Sequence, residues 1–351
     1  MRAVRLVALL VLALVTLGAF TAQRAVPAPA PAAKAVDAAR AFLATLDDRQ
    51  RTRVVLPLNG TTRTVWSNLP TGVAMQVGAV ERNGLKLGDM TSAQQDAALA
   101  LVAATLSGAG FQKVMNIVNA DQQLELRSAP DRAANSKIKF GRGEYYVAIL
   151  GTPSAADRWM LQVGGHHLAI NVSIAGQKSV LTPTHTGAQP ATYTLNGQTI
   201  RPLGSENDKA FKLVNGLDAA QRKQAVLGYE VRNLVLGPGE DGKVIQPEGI
   251  RASTLNQSQR TMLLDLVREW VDILDDTAAG AKMTEITANL ADTYFAWSGS
   301  TSNGDPAYFR VQGPTVLIEY APQGSSRAST DHIHTIYRDP TNDYGAKLTA
   351  Q

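Results

Sequence analysis

Five histidines carry most of the chemistry this chain has to offer: His166, His167, His185, His332 and His334. The last two form a His-x-His pair inside residues 329–345 (STDHIHTIYRDPTNDYG), followed closely by Arg338, Asp339 and Asp343. On a β-strand, residues i and i+2 project from one face, so His332 and His334 point together. Two such imidazoles make half of a metal site. A third would give a three-ligand centre with an open fourth position, which suits zinc or copper. Zinc would lower the pKa of a bound water toward neutrality and make it a nucleophile. His167 is the first candidate for the third ligand, followed by His166 and His185. Glu319 or Asp343 would act as base or outer partner, and Arg338 would hold an anion. Ligands of one ion need ring nitrogens within about 4 Å of each other, given metal–nitrogen bonds near 2 Å. The reading therefore requires His167 to meet the terminal pair in space.

Each of these residues also has a plain structural use. A buried histidine can hydrogen-bond a neighbouring carbonyl or carboxylate. Adjacent histidines on one strand send their rings to opposite faces, so His166 and His167 would not both serve one ion. Arg338 and Asp339 fit an ion pair or a turn cap. Tyr337 and Tyr344 fit packing, and Trp66, Trp159, Trp270 and Trp297 fit the core.

Composition narrows the classes. The 351 residues are 44% hydrophobic and 18% charged, the balance of an ordered globular protein. The net charge of +4 is spread along the chain without a like-charged block, so nothing marks a nucleic-acid partner. The absence of cysteine excludes disulfides, thiolate catalysis, iron–sulfur clusters and cysteine-based zinc sites. No P-loop, dinucleotide fingerprint, Gly-x-Ser-x-Gly elbow or His-Glu-x-x-His helix is present. The Gly-Pro-Gly-Glu-Asp-Gly turn at 237–242 lacks the alternating ligands of a calcium loop.

The elements that must position the histidines begin after the N-terminus. Arg2 and Arg5 precede an apolar run, residues 6–20, in the layout of a secretory signal. Residues 1–22 are expected to be a signal peptide, or an anchor if uncleaved, which is the one route to a membrane. The Pro/Ala-rich residues 23–35 are expected to be an extended tether. Four capping boxes then mark helix starts, each a short polar residue three positions before glutamine: Asp47/Gln50, Thr91/Gln94, Asp218/Gln221 and Asn256/Gln259. They form two similarly spaced pairs. Each pair is followed by β-rich segments, 144–171 after the first and 292–320 after the second. Aligning Gly165 with Gly313 sets Val163 on Val311, Leu168 on Val316 and Ile170 on Ile318. One inserted residue then sets His185 against His334.

This pattern predicts an α+β fold with an internal duplication. Two helix–helix–β-hairpin units, 36–200 and 201–345, would pack as one pseudo-twofold module. Each is roughly a domain's length. Residues 163–173 read as one strand, with His167 and Asn171 on its polar face and Thr315 and Glu319 at the matching positions of the second unit. Between the units, residues 179–200 read as short strands with turns at Thr186-Gly187 and Asn196-Gly197.

Several motifs together resemble a bacterial family known as domain of unknown function 3500: GGHHLAIN, TPTHTGAQP, LGPGEDGKVIQPEGI, GPTVLIEYAPQ and HIHTIYRDPTNDYG. The resemblance spans about residues 38–345. It implies one continuous module in an exported bacterial setting, with His166, His167, His332, His334, Arg338 and Asp343 as signature positions. It implies no substrate or cofactor. The expected function is that of a periplasmic or extracellular metal-dependent enzyme, hydrolytic or oxidative, acting on a small molecule or peptide at a site between the units. The alternatives are a non-catalytic metal- or small-anion-binding protein of the cell envelope, and an envelope structural protein with buried histidines.

Overall fold

The computed structural model describes residues 31–73, 82–133, 136–324 and 330–348. The expected signal segment and tether residues 23–30 lie outside the described residues. Residues 31–35 are not extended. They open helix α1, Pro31–Ala44, because Ala35, Val36, Ala39 and Phe42 fall at helical spacing and are buried to 2% exposure or less.

All four capping boxes form. The side chains of Asp47, Thr91, Asp218 and Asn256 accept from the amides of their glutamines, which reach back to the cap amides. These start α2 (Asp48–Val54), α3 (Ser92–Thr105), α6 (Ala219–Ala225) and α7 (Gln257–Val271). Within each pair the glutamines also meet. Gln94 Nε2 donates to Gln50 Oε1 at 2.8 Å, and Gln259 Nε2 donates to Gln221 Oε1 at 2.6 Å. A local capping signal thus doubles as a tertiary contact. Among the described residues the other helices after α1, α4 (Gly108–Ser128), α5 (Gly204–Asn215) and α8 (Asp276–Ala288), carry no capping box and are not marked in the sequence in that way.

The helices pack on a mixed sheet of twelve strands. From one edge its path runs β1 (Val55–Leu56), β3 (Tyr146–Leu150), β4 (Trp159–Gly165), β5 (Leu168–Ala175) and β7 (Thr184–Ala188). It continues through β14 (Ile333–Arg338), β13 (Val316–Pro322), β12 (Ala307–Gly313), β11 (Tyr294–Gly299) and β10 (Ile250–Arg251). The short strands β2 (Leu85–Lys86) and β6 (Lys178–Val180) pair with β3 and β5. A separate hairpin joins β8 (Tyr193–Leu195) to β9 (Gln198–Ile200). Its turn is the predicted Asn196-Gly197, with φ of 50° and 77° as a two-residue hairpin demands.

Two sequence expectations need correction. Residues 163–173 are not one strand: β4 and β5 form a hairpin whose turn is His166-His167. The matching segment is likewise a hairpin, β12 to β13, turning at Pro314-Thr315. A period-two pattern looks the same on either side of a two-residue turn, so alternation alone does not show the break. Thr186-Gly187 is not a turn either. It lies inside β7, in the middle of the sheet.

Strand alternation sorts the core. One face sends Ile149, Trp159, Leu161 and Ile170 into a cluster with α1, α3 and α4. Phe295, Trp297, Phe309 and Ile318 do the same with α5, α7 and α8. The other face is covered by loops: Leu317 and Ile336 pack under Leu234, Leu236 and Trp66. No helix among the described residues is long and apolar enough to cross a membrane.

Candidate metal centre

The central strand pair builds the site. In register, Leu168 of β5 faces Thr186 of β7, while Gly187 of β7 faces His334 of β14. His167, just before Leu168, therefore lies beside Gly187, with His334 on the glycine's other side. Because Gly187 has no side chain, the two rings close over it to a centroid separation of 5.1 Å. His332 immediately precedes β14 and reaches the same point. His167 Nε2 lies 2.8 Å from His332 Nε2, which lies 3.1 Å from His334 Nε2. His167 is buried, and His332 and His334 are half-buried.

His167 occupies a left-handed backbone conformation, φ 66°. A non-glycine residue there costs roughly 1–2 kcal/mol, so the turn holds this imidazole against a local preference. Neighbours fix the turn. The amide of His167 donates to the Asn68 carbonyl at 3.0 Å, and the Tyr145 hydroxyl donates to the His166 carbonyl at 2.8 Å. His167→Gly relieves the backbone cost while deleting a candidate ligand. We expect metal affinity to fall by at least about 100-fold, the upper range for losing even an outer-shell partner. Calorimetric titration set beside a thermal melt separates the two effects.

All five histidines join one chain of ring contacts. His166 stacks on His167 at 3.6 Å, and His185 meets His334 edge-on at 5.0 Å. His166 Nδ1 lies 2.7 Å from Asp121 Oδ1, whose other oxygen accepts from the Gly141 amide at 2.7 Å. Asp121, His166 and His167 form a second group close enough to hold an ion. The expectation that adjacent histidines diverge fails here because they occupy a turn and not a strand.

Burial is the main cause that keeps the imidazoles of His167, His185, His332 and His334 neutral. It lowers His185 to about 3 and His332 to about 4, with help from nearby imidazoles, and holds His167 and His334 well below the ordinary value. A neutral imidazole has one N–H and one lone pair. Three ring nitrogens within 4.8 Å of one another, with His332 Nε2 in the middle, cannot all be satisfied by a single shared proton, whereas a cation accepts all three lone pairs. Tetrahedral geometry with 2.0 Å bonds sets nitrogens about 3.3 Å apart, close to the separations here.

The family model described as Protein of unknown function (DUF3500) matches residues 28–346. This chain belongs to the DUF3500 family. No curated protein and no solved structure matches it.

The other sequence-selected residues of this DUF3500 member engage different partners. Glu319 is fully buried and accepts from the amides of Val235 and Leu236 at 3.0 and 2.7 Å and from the Tyr308 hydroxyl at 2.5 Å. Arg338 donates to Asp241 and Asp343 at 2.8 and 2.9 Å and to the carbonyls of Leu236 and Gly237. Asp343 also accepts from the Asp339 amide, and Asp339 pairs with Lys282. Together these groups pin the segment around 235–241 against the sheet. His185 is fully buried, and neither of its ring nitrogens has a hydrogen-bond partner.

Asp121 belongs to no motif and was missed in the sequence. Its signal is positional: with Val114, Ile117 and Val118 it lies on the buried stripe of α4, where an unpaired carboxylate would be costly. Gly187 has a similar hidden role. A Cβ there would lie 2.8 Å from the Ile333 carbonyl oxygen and 3.1 and 3.2 Å from the Cδ2 atoms of His167 and His334. Gly187→Ala should cost about 1–3 kcal/mol by overpacking and spread the two imidazoles. Denaturant melts and metal titration of the purified variant check both effects.

Proposed function

We propose that this protein is an exported, metal-dependent enzyme, hydrolytic or oxidative, with zinc or copper held by His167, His332 and His334. The observation that carries this reading is the gathering of ring nitrogens from His167, His332 and His334 within 4.8 Å of one another, with His332 Nε2 at 2.8 and 3.1 Å from the other two. Their half-open setting leaves a coordination position for water or substrate, the arrangement of catalytic rather than structural sites. Asp121 would orient His166, which stacks on the ligand His167 and supports its position.

The site would lie between two duplicated units. Support comes from the two Gln–Gln-linked capping pairs, the matched hairpins 165/168 and 313/316, and the antiparallel β7–β14 contact at the sheet centre. Export rests on the charged and apolar layout of residues 2–20.

Elemental analysis of untagged protein tests the metal. Stoichiometric zinc or copper is expected, and no bound transition metal after reconstitution would overturn the reading. A non-catalytic metal-binding role is favoured by one observation: His185, unpartnered beside His334, could close a fourth position. Azide or cyanide shifting the spectrum of the cobalt-loaded protein supports the open enzyme site; inertness supports the closed one.

A further inference from the structure

We propose that Arg63 and Arg158 form a binding site for a doubly charged tetrahedral oxyanion, a phosphate or sulfate group, free or carried on a small organic molecule. The site uses none of the imidazoles and does not rest on the metal reading. Both guanidiniums gather at one residue, Tyr344. Arg63 Cζ lies 5.5 Å from the centroid of the Tyr344 ring, in cation–π range. Arg158 Nη2 donates to the Tyr344 carbonyl.

Two like charges brought together call for an answering charge, and the described residues supply none. Neither arginine has an ion pair among them, and the Nε–H of each is buried without an acceptor. Burial and the neighbouring Arg63 charge lower the Arg158 guanidinium from its ordinary value, with no carboxylate of the described residues opposing them. Asp241, which shares Tyr344 with the pair, is taken: it accepts from Arg338 and from the Tyr344 hydroxyl, both at 2.8 Å. Asp157, next to Arg158 in the chain, accepts from the Ser154 hydroxyl at 3.1 Å. Arg338, the arginine that the sequence marks for an anion, has two carboxylate partners, whereas Arg63 and Arg158 have none among the described residues. A partly desolvated charge is costly to leave unpaired. One dianion answers both charges, and the guanidinium fork matches its oxygens through paired N–H groups. A monoanion such as a carboxylate leaves one charge over.

The pair is held in place before any ligand arrives. The Arg63 carbonyl accepts from Gln162 Nε2 on β4 at 2.8 Å, and Arg158 immediately precedes β4. Tyr344 is fixed in turn by Trp66 Nε1, which donates to its hydroxyl at 2.9 Å, and by its own amide, which donates to the Thr182 carbonyl at 2.6 Å. Both arginines are half-buried, open on one side to a ligand from solvent. Binding then orders little that is not already ordered.

Calorimetric titration of the full-length protein tests the site, after dialysis free of metal and phosphate and at constant ionic strength. Inorganic phosphate, sulfate and glycerol phosphate are the probes, and acetate is the comparator. The dianions should bind saturably and more tightly than acetate. Arg63→Gln and Arg158→Gln should each weaken them by about tenfold or more, while the double variant His332→Ala, His334→Ala should keep the affinity. Tighter binding of glycerol phosphate identifies an organic phosphate and equal binding identifies the free anion; both support the site. The Arg63 side chain makes no hydrogen bond to the described residues, so its variant decides the matter if loss of the Tyr344 contact unfolds Arg158→Gln. No saturable binding by the wild type, acetate binding as tight as that of the dianions, or unchanged affinity in the folded arginine variants overturns the proposal. Binding lost in the histidine variant and kept in the arginine variants also overturns it and places the anion at the imidazoles.

Discussion

Replacing both His332 and His334 with alanine should abolish stoichiometric metal uptake while leaving the fold in place. The pair supplies two of three converging nitrogens, so affinity should fall well beyond the 10–100-fold that losing an outer-shell partner costs. Both side chains are half-buried, and neither hydrogen-bonds to the backbone of the described residues. Their removal should therefore disturb stability much less than a core truncation of about 2–5 kcal/mol. Metal content by elemental analysis, set beside a thermal melt of the metal-free protein, reads both quantities. Global unfolding of the double variant would instead favour a structural role for the histidines.

The largest expected effect on stability lies elsewhere. Lys113 on α4 reaches Glu206 on α5 at 2.7 Å and, on α7, the Glu269 carbonyl at 2.7 Å and carboxylate at 3.2 Å. The Glu206 side chain is 1% exposed. Lys113→Met would strand that carboxylate, and breaking one side of a buried pair costs about 3–5 kcal/mol. The pH dependence follows from the direction of the shift. Burial raises the Glu206 carboxyl above its ordinary value, and Lys113 opposes the rise. A carboxyl raised in the folded state favours folding below its unfolded pKa and loses that contribution as pH rises through the folded value. Removing Lys113 moves the folded value further up. The variant's deficit should thus be largest near neutral pH and shrink on acidification toward about pH 4. Denaturant titrations at several pH values measure it. A deficit below about 1 kcal/mol at pH 7, or one that grows with acid, would contradict this account.

How much was legible in advance differs by level. The capping boxes could be read because a helix start is a local event: the cap side chain and its glutamine lie three residues apart and need no partner elsewhere. Their bodies follow to within a few residues. The His-x-His pair was legible as two imidazoles two residues apart, although only His334 lies on β14 and His332 just precedes it. The five histidines, as residue types, also set the range of possible chemistry. Tertiary structure decided the rest. The turn at His166-His167 was hidden by a period that continues through it, and the turn is what lets both rings face inward. The value of Gly187 depends on strands at 168 and 334 that flank it only after β7 inserts between them. Asp121, Glu319 and Arg338 are all charged and could each have served the site. Only packing shows that Asp121 meets His166, while Glu319 and Arg338 hold a loop. The terminal histidine pair was half a site by sequence. Sheet register brings His167 to it, because contacts across 165 residues depend on strand order and not on local propensity.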